Sequence, residues 1–487
     1  MESVMKLLGL AVRLREELKE CTVMAVRDAL GTVGTAAVER EQRVPGIRHT
    51  RSQEGRVSLL VRLLLLGDAL TAEEYETALP SIPLAEAIDA GLMKSDVKSA
   101  IAIRPVPVPE RHGGGELLIA SDRGPLQGAV PEHDHVMPVG GATKTLATMT
   151  SYEPGQTVLD LGTGCGYHAL LAARAGAHAV ATDVSERALA FTQLNAALAG
   201  LTVETRLGSL YDPVTERFDR IVPTPPFVVT PPSVREIIGT YEYRDAGVEE
   251  DSLLKGILTG AGDHLADDGI AWMLGNWLID AEADSGEIAE KWAEPLHEWI
   301  GDREAWVVLR DAIDPAQYAE MWLQDAGITG SAFTMAYCLW LKEIKAGSIG
   351  FGYITIGAED GPQRFEDYRG PITDTFAEAV WDNRHLAAED DDVLLDRHLV
   401  TRGVIEKRLH TPGQEDPWFI SLTGHGRDIP VSAEIAGFVG ACDGDLSAAQ
   451  IIGALSSLLD IPAGEMRDAV LPTVKELIGA GMLTDLG

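Results

Sequence analysis

The chain has 487 residues, 40 Lys and Arg against 75 Asp and Glu, and a formal charge of −35. That length exceeds one ordinary core and implies several domains, while 45% hydrophobic and 24% charged residues exclude a disordered chain. Nucleic-acid binders take most of their affinity from Lys and Arg against phosphate, so the acidic surplus argues against that partner class.

Taken in chain order, residues 1–125 read as helical and then as strand. Leu7, Leu8, Leu14 and Leu18 recur at helical spacing, a second helical pattern runs over 57–66, and Thr71 with Glu74 forms a capping box. Near residue 100 the period changes to that of strands. Residues 100–103 and 116–120 flank Gly113-Gly114-Gly115 and predict a two-stranded wing, giving an accessory domain suited to gripping a substrate. Residues 126–358 alternate apolar strands with amphipathic helices, which predicts an α/β core around a mostly parallel sheet. Residues 359–417, rich in Asp, Glu, Pro and Arg, read as a linker, and the run 389–392 as its solvated acidic face. Residues 418–487 carry three helical patterns and predict a small winged-helix-like domain. Such units often mediate dimers, and their fold alone does not imply DNA binding.

Cys21, Cys165, Cys338 and Cys442 form no C-x-x-C pair, which indicates neither a disulfide framework nor a cysteine zinc site. The N-terminus lacks the layout of a signal peptide, and the most apolar run, 57–66, is broken by Arg62 and too short for a membrane span. The expectation is a cytoplasmic protein with no membrane partner.

The chemistry is concentrated in Asp160-Leu161-Gly162-Thr163-Gly164-Cys165-Gly166, between a predicted strand and helix. A dinucleotide fingerprint requires G-x-G-x-x-G, with the last glycine seating a helix N-terminus on a pyrophosphate. Here that position is Tyr167, and the spacing is G-x-G-x-G. Glycines that let a ligand lie on bare main chain, preceded by an acid, suit S-adenosyl-L-methionine, which is cationic and carries no phosphate. Asp160 is placed to attract its amino end. Asp183 ends the next strand and can accept from a ribose diol, and Gly208-Ser209-Leu210 can frame the adenine. The fourth strand ends in Thr224-Pro225-Pro226-Phe227, a bend at the sheet edge where open α/β sheets bind ligands.

These motifs together resemble class I methyltransferases with a small-domain core, the group of release-factor methylases and guanine-N2 ribosomal RNA methylases. The chain is also similar to a long bacterial subgroup in which a helical domain precedes the core and a winged-helix-like tail follows it. Residues 140–146, Tyr243-Arg244-Asp245 and Gly275-Asn276-Trp277 carry that likeness. The resemblance implies a Rossmann-like, seven-stranded core and S-adenosyl-L-methionine as methyl donor, leaving S-adenosyl-L-homocysteine. The cofactor set becomes Thr143, Asp160, Gly162, Thr163, Gly164, Cys165, Gly166, Asp183, Val184, Ser209, Leu210, Thr224 and Pro225. The acceptor set becomes Pro226, Phe227, Tyr241, Tyr243 and Trp277, with Thr224, Phe227, Tyr243 and Asp245 as catalytic candidates. No metal is expected: His133-Asp134-His135 reads as a loop near the cofactor entrance, and Cys165 as a packing residue.

One position departs from the family pattern of Asn or Asp before Pro-Pro. Thr224 has no side-chain carbonyl to hold a planar NH2 group, and this predicts a changed acceptor, a nitrogen or oxygen of a small metabolite or peptide. The alternative is a protein or ribosomal RNA N-methyltransferase. The acidic charge argues against RNA, and Thr224 against a glutamine amide.

Overall fold

The computed structural model describes residues 6–224, 226, 228–239, 251–283, 285–373, 375–413 and 418–486, and it divides into two units. One comprises Met1–Arg303 and Asp311–Glu359, the other Glu304–Arg310 and Asp360–Gly487. No described helix is long and apolar enough to cross a membrane.

In the first unit, strands β1 (Ala102–Pro107) and β2 (Glu116–Ser121) pair antiparallel as the expected wing. The core strands follow as β3 (Thr157–Leu161), β4 (His178–Asp183), β5 (Glu204–Leu207), β6 (Phe218–Pro223) and β7 (Leu265–Ile279). After them come β8 (Arg303–Ile313), whose middle belongs to the second unit, and β9 (Ser348–Asp360). Across the first unit the order is β9-β7-β6-β3-β4-β5, parallel throughout except that β7 and β9 run antiparallel. β10 (Gln363–Asp367) lies parallel to β8 in the second unit, so among the described residues the sheet strands number eight rather than the expected seven. From β3 the chain steps outward to β4 and β5, then returns to place β6 on the other side of β3. That reversal opens a crevice at the carboxyl ends of β3 and β6, where α/β sheets take their ligands.

The local signals are realised in atoms. Thr71 Oγ1 accepts from the Glu74 amide at 3.1 Å and Glu74 Oε2 from the Thr71 amide at 2.8 Å, closing the capping box. Over 57–66 the helix Arg56–Leu60 loosens into a π-helical turn, Val61–Leu65. Arg62 within it is buried and ion-paired to Asp68 at 2.9 Å and Glu74 at 2.6 Å, so its charge is neutralised inside the fold.

The N-terminal helices and the methylase-like core share one apolar interior. Leu14, Leu30, Leu60 and Leu64 cluster with Ile103 and Ile119 of the wing and with Leu170, Phe191 and Leu194 from the helices Tyr167–Arg174 and Glu186–Ala199. Buried Asn195 ties these parts by hydrogen bonds. Its Nδ2 donates to Ala120 O at 2.9 Å and Cys165 O at 2.8 Å, and its Oδ1 accepts from Ala120 N at 2.7 Å. A wing strand and the glycine loop are thereby held by one side chain.

The second unit holds β11 (Leu399–Thr401), β12 (Ile405–His410), β13 (Trp418–Gly424), β14 (Arg427–Val431) and β15 (Leu483–Asp485). β11 pairs with β15, and β12, β13 and β14 form an antiparallel sheet. Helices Ala433–Gly440, Ala448–Leu459 and Ala463–Gly479 pack around Phe438, Ile451 and Val470. The stretch read as a linker carries β10 to β12 and the helices Phe376–Asp382, Arg384–Ala388 and Asp391–Leu395. Within its acidic run Asp391 is ion-paired to Lys475 at 2.6 Å.

Candidate active site

A cavity of about 460 Å³ opens at the carboxyl ends of β3, β4 and β6. The loop after β3 builds its floor. Gly162, Gly164 and Gly166 have φ of 73°, 55° and 86°, backbone that other residues adopt only at a cost. The two later glycines are constrained differently. A Cβ on Gly166 would lie 2.8 Å from Thr192 Cγ2, whereas one on Gly164 would meet nothing within 4 Å. Gly166 therefore lets the next helix close on its neighbour, and Gly164 keeps the floor bare for a ligand.

Asp160 works beneath this floor rather than on the cavity wall. Its Oδ2 accepts from Thr163 Oγ1 at 2.7 Å and from the Ala169 amide at 2.9 Å, bracing the loop against the first turn of the helix Tyr167–Arg174. Its Oδ1 is buried without a partner, and burial pushes the carboxyl up to about 7. Asp160 thus shapes the loop from beneath the cavity wall.

Asp183 does line the cavity. Its Oδ2 accepts from Gly164 N at 3.0 Å and its Oδ1 from Ser185 N at 2.9 Å, and Gly208 N donates to its main-chain oxygen at 3.0 Å. These bonds fix the carboxylate between the glycine loop and the turn after β5. In that turn Leu210 holds φ of 46°, an unusual strain for a branched side chain and one that clusters at ligand sites. Thr143, Gly162, Thr163, Gly164, Cys165, Val184, Ser209, Leu210, Thr224 and Pro226 join Asp183 on the wall; Gly166 does not. Burial pushes the Cys165 thiol up to about 12, so it stays protonated and packs.

Thr224 follows β6, and its hydroxyl proton is already committed. Oγ1 donates to Gly162 O at 2.8 Å while its amide donates to Leu161 O at 2.8 Å. The hydroxyl oxygen, on the cavity wall, can then act toward a ligand only as an acceptor. Threonine here offers a hydroxyl acceptor at the position where the family pattern has an amide or carboxylate oxygen. Pro225, Phe227, Tyr241, Tyr243 and Asp245 lie outside the described residues. Trp277 is fully buried and off the wall, its Nε1 donating to Trp292 O at 2.8 Å. It is a core residue.

Sequence reasoning missed the roof. Trp322 and Asp325, from the helix Pro315–Asp325, reach the wall, as do Leu253 and Leu274. Tyr318 of that helix accepts from Val229 N at 2.9 Å and from Asn276 Nδ2 at 3.3 Å, so it positions the chain at Val229, a few residues after β6. Asp134 and His135 also line the cavity, where the entrance loop was expected.

Residues 138–240 match the model of the methyltransferase small domain family, and residues 20–103 that of a domain of unknown function (DUF7059). The segment 138–240, which supplies the glycine loop, both strand-end acids and Thr224, is a methyltransferase small domain of the class the motifs predicted. Over 90 residues the chain is 46% identical to the release factor glutamine methyltransferase of Cereibacter sphaeroides, covering 18% of this chain and 32% of that protein. Over 75 residues it is 45% identical to the release factor glutamine methyltransferase of Deinococcus radiodurans, covering 15% and 27%. The chain thus spans about a third or less of the length of these relatives. Among solved structures, a 16S ribosomal RNA N2 G1207 methyltransferase of T. thermophilus, in complex with AdoMet and guanosine, aligns with 37% of this chain and 43% of its own at 19% identity and a TM-score of 0.27.

The cavity fits S-adenosylmethionine on its own chemistry. Among the described residues its wall carries no lysine or arginine to meet a pyrophosphate, but three aspartates, Asp134, Asp183 and Asp325, to favour a cation. The open face of Gly164 leaves main chain free for close approach.

Proposed function

We propose that the chain is an S-adenosylmethionine-dependent N-methyltransferase whose acceptor is a nitrogen of a protein side chain. Bound in the cavity, the cofactor would supply an electrophilic methyl group on a sulfonium. What the chain itself contributes is placement, since in-line displacement with so good a leaving group depends chiefly on near-attack geometry. Asp183 would hold the ribose, the glycine loop would receive the body of the donor, and Thr224 would orient the acceptor.

The observation that carries this reading is the direction of the Thr224 hydroxyl bond. With its proton on Gly162 O, the oxygen is left to accept a hydrogen bond from a group that brings an N–H or O–H, and a side-chain amide nitrogen meets that requirement. The similarity to two release factor glutamine methyltransferases supports a protein acceptor over the small metabolite or peptide favoured by the sequence reading. Incubation with methyl-labelled cofactor and fractionated cell extract tests it. Label entering protein is expected, and Thr224→Ser should retain it while Thr224→Val loses most of it. Label entering only RNA or only small molecules would overturn the acceptor class, and equal turnover by Thr224→Val would overturn the role of the hydroxyl.

A further inference from the structure

His168 is a buried imidazole on the cavity wall, its ring edge-on to Tyr167 at 5.8 Å. It follows the glycine loop in the first turn of the helix Tyr167–Arg174, is 1% exposed, and neither Nδ1 nor Nε2 makes a hydrogen bond. The Thr143 main chain lies near enough to favour the charged ring slightly, though without hydrogen-bonding geometry, and burial outweighs it, pushing the imidazole down to about 3. The ring is therefore neutral at physiological pH, with one N–H to donate and one lone pair to accept. Leaving both buried and unpaired costs on the order of 1–3 kcal/mol per group, which a purely packing role would avoid with an apolar side chain.

Position decides what would pair with it. Asp183 ends β4, on one side of β3, and is bonded to the turn after β5. The helix Gly141–Met149, which brings Thr143 near His168, packs on the opposite side: its Leu146 clusters with Val222 of β6 and Trp272 of β7. A donor with its ribose on Asp183 therefore extends its amino-acid end across the glycine loop toward His168. That end carries an ammonium and a carboxylate. Aspartates on the wall serve the cation, but no described lysine or arginine there serves the anion, so a carboxylate must be met by neutral donors.

We propose that His168 is a binding residue of the cofactor site, donating a ring N–H to the α-carboxylate of the amino-acid end. The proposal rests on the cavity being the S-adenosylmethionine site, and the test separates the two. Calorimetry is run with S-adenosylhomocysteine and with 5′-methylthioadenosine, which keeps the nucleoside and thioether but lacks the amino-acid end. His168→Phe, which preserves the ring shape, should weaken S-adenosylhomocysteine about tenfold, the effect of one charge-assisted hydrogen bond, and change 5′-methylthioadenosine less than twofold. An unchanged affinity for both ligands, or an equal loss for both, overturns the assignment. Wild-type protein that binds neither ligand overturns the cofactor site itself. A second readout needs no substitution: in ¹⁵N-histidine-labelled protein, S-adenosylhomocysteine should shift the His168 ring nitrogens and 5′-methylthioadenosine should not, and equal shifts refute the contact.

Discussion

A methyl group added at Gly166 would sit 2.8 Å from Thr192 Cγ2, 2.9 Å from its Oγ1 and 3.1 Å from its Cα. The last of these is main chain and cannot rotate away. Gly166→Ala also forces an L-residue to φ near 86°, which costs roughly 1–2 kcal/mol, and overpacking adds about 1–3 kcal/mol. Gly164→Ala carries the same conformational penalty at φ of 55° but meets no atom within 4 Å, because its methyl stands in the cavity. The first substitution should therefore lower stability by roughly 2–5 kcal/mol. The second should lower it by about 1–2 kcal/mol and weaken S-adenosylhomocysteine at least tenfold. Denaturant titration with a fluorescence readout measures the stabilities, and calorimetry the affinity. Equal destabilisation by the two, or a Gly164→Ala protein within twofold of wild-type affinity, would refute the division of labour between folding and binding.

Three further outcomes follow from buried polar groups. Burial holds the Asp160 carboxyl near 7, against roughly 4 in an unfolded chain, so the folded state binds the extra proton and this group's contribution to stability falls as pH rises through that window. Asp160→Asn keeps an acceptor for Thr163 and Ala169 and should flatten the stability–pH curve by roughly 3–4 kcal/mol between pH 4 and pH 8; an unchanged slope in denaturant titrations would show that the carboxyl ionises freely. Asn195→Ala strands three main-chain groups, each worth about 1–3 kcal/mol when left buried and unpaired. It should cost at least about 3 kcal/mol and raise the cofactor KM, and a loss below 1 kcal/mol in thermal unfolding would contradict the clamp. Trp277→Phe removes one buried hydrogen bond and should lower stability by about 1–2 kcal/mol with acceptor KM unchanged; a large rise in KM would return Trp277 to the substrate site.

The parts of this site that could be read from the chain are those encoded by local backbone rules. The glycine spacing and the strand-end Asp183 each constrain a few consecutive residues, and both fall at strand ends in the fold. Roles that depend on depth were not legible. Asp160 alternates in a strand like any other residue, and only the packed structure puts its carboxylate under the loop. Tyr318 and Trp322 come from a helix about ninety residues beyond Val229, which Tyr318 holds, and Thr224, with which Trp322 shares the cavity wall, and their own segment reads as an ordinary amphipathic helix. His168 sits in a run of alanine and leucine where periodicity signals only burial. For Thr224 the amino-acid type fixes the hydrogen-bonding capacity, but only the neighbouring carbonyl decides which half of that capacity remains.

The common interior of the N-terminal helices, the wing and the helices flanking the glycine loop has a practical corollary for anyone cutting the gene. A fragment beginning at the sheet would present Phe191, Leu194 and Leu170 to water, and the loop would lose its grip on Ala120. The segment that family comparison recognises is a cradle whose back wall is built by the preceding hundred residues. Transplanting that cradle without its wall should yield an aggregating piece.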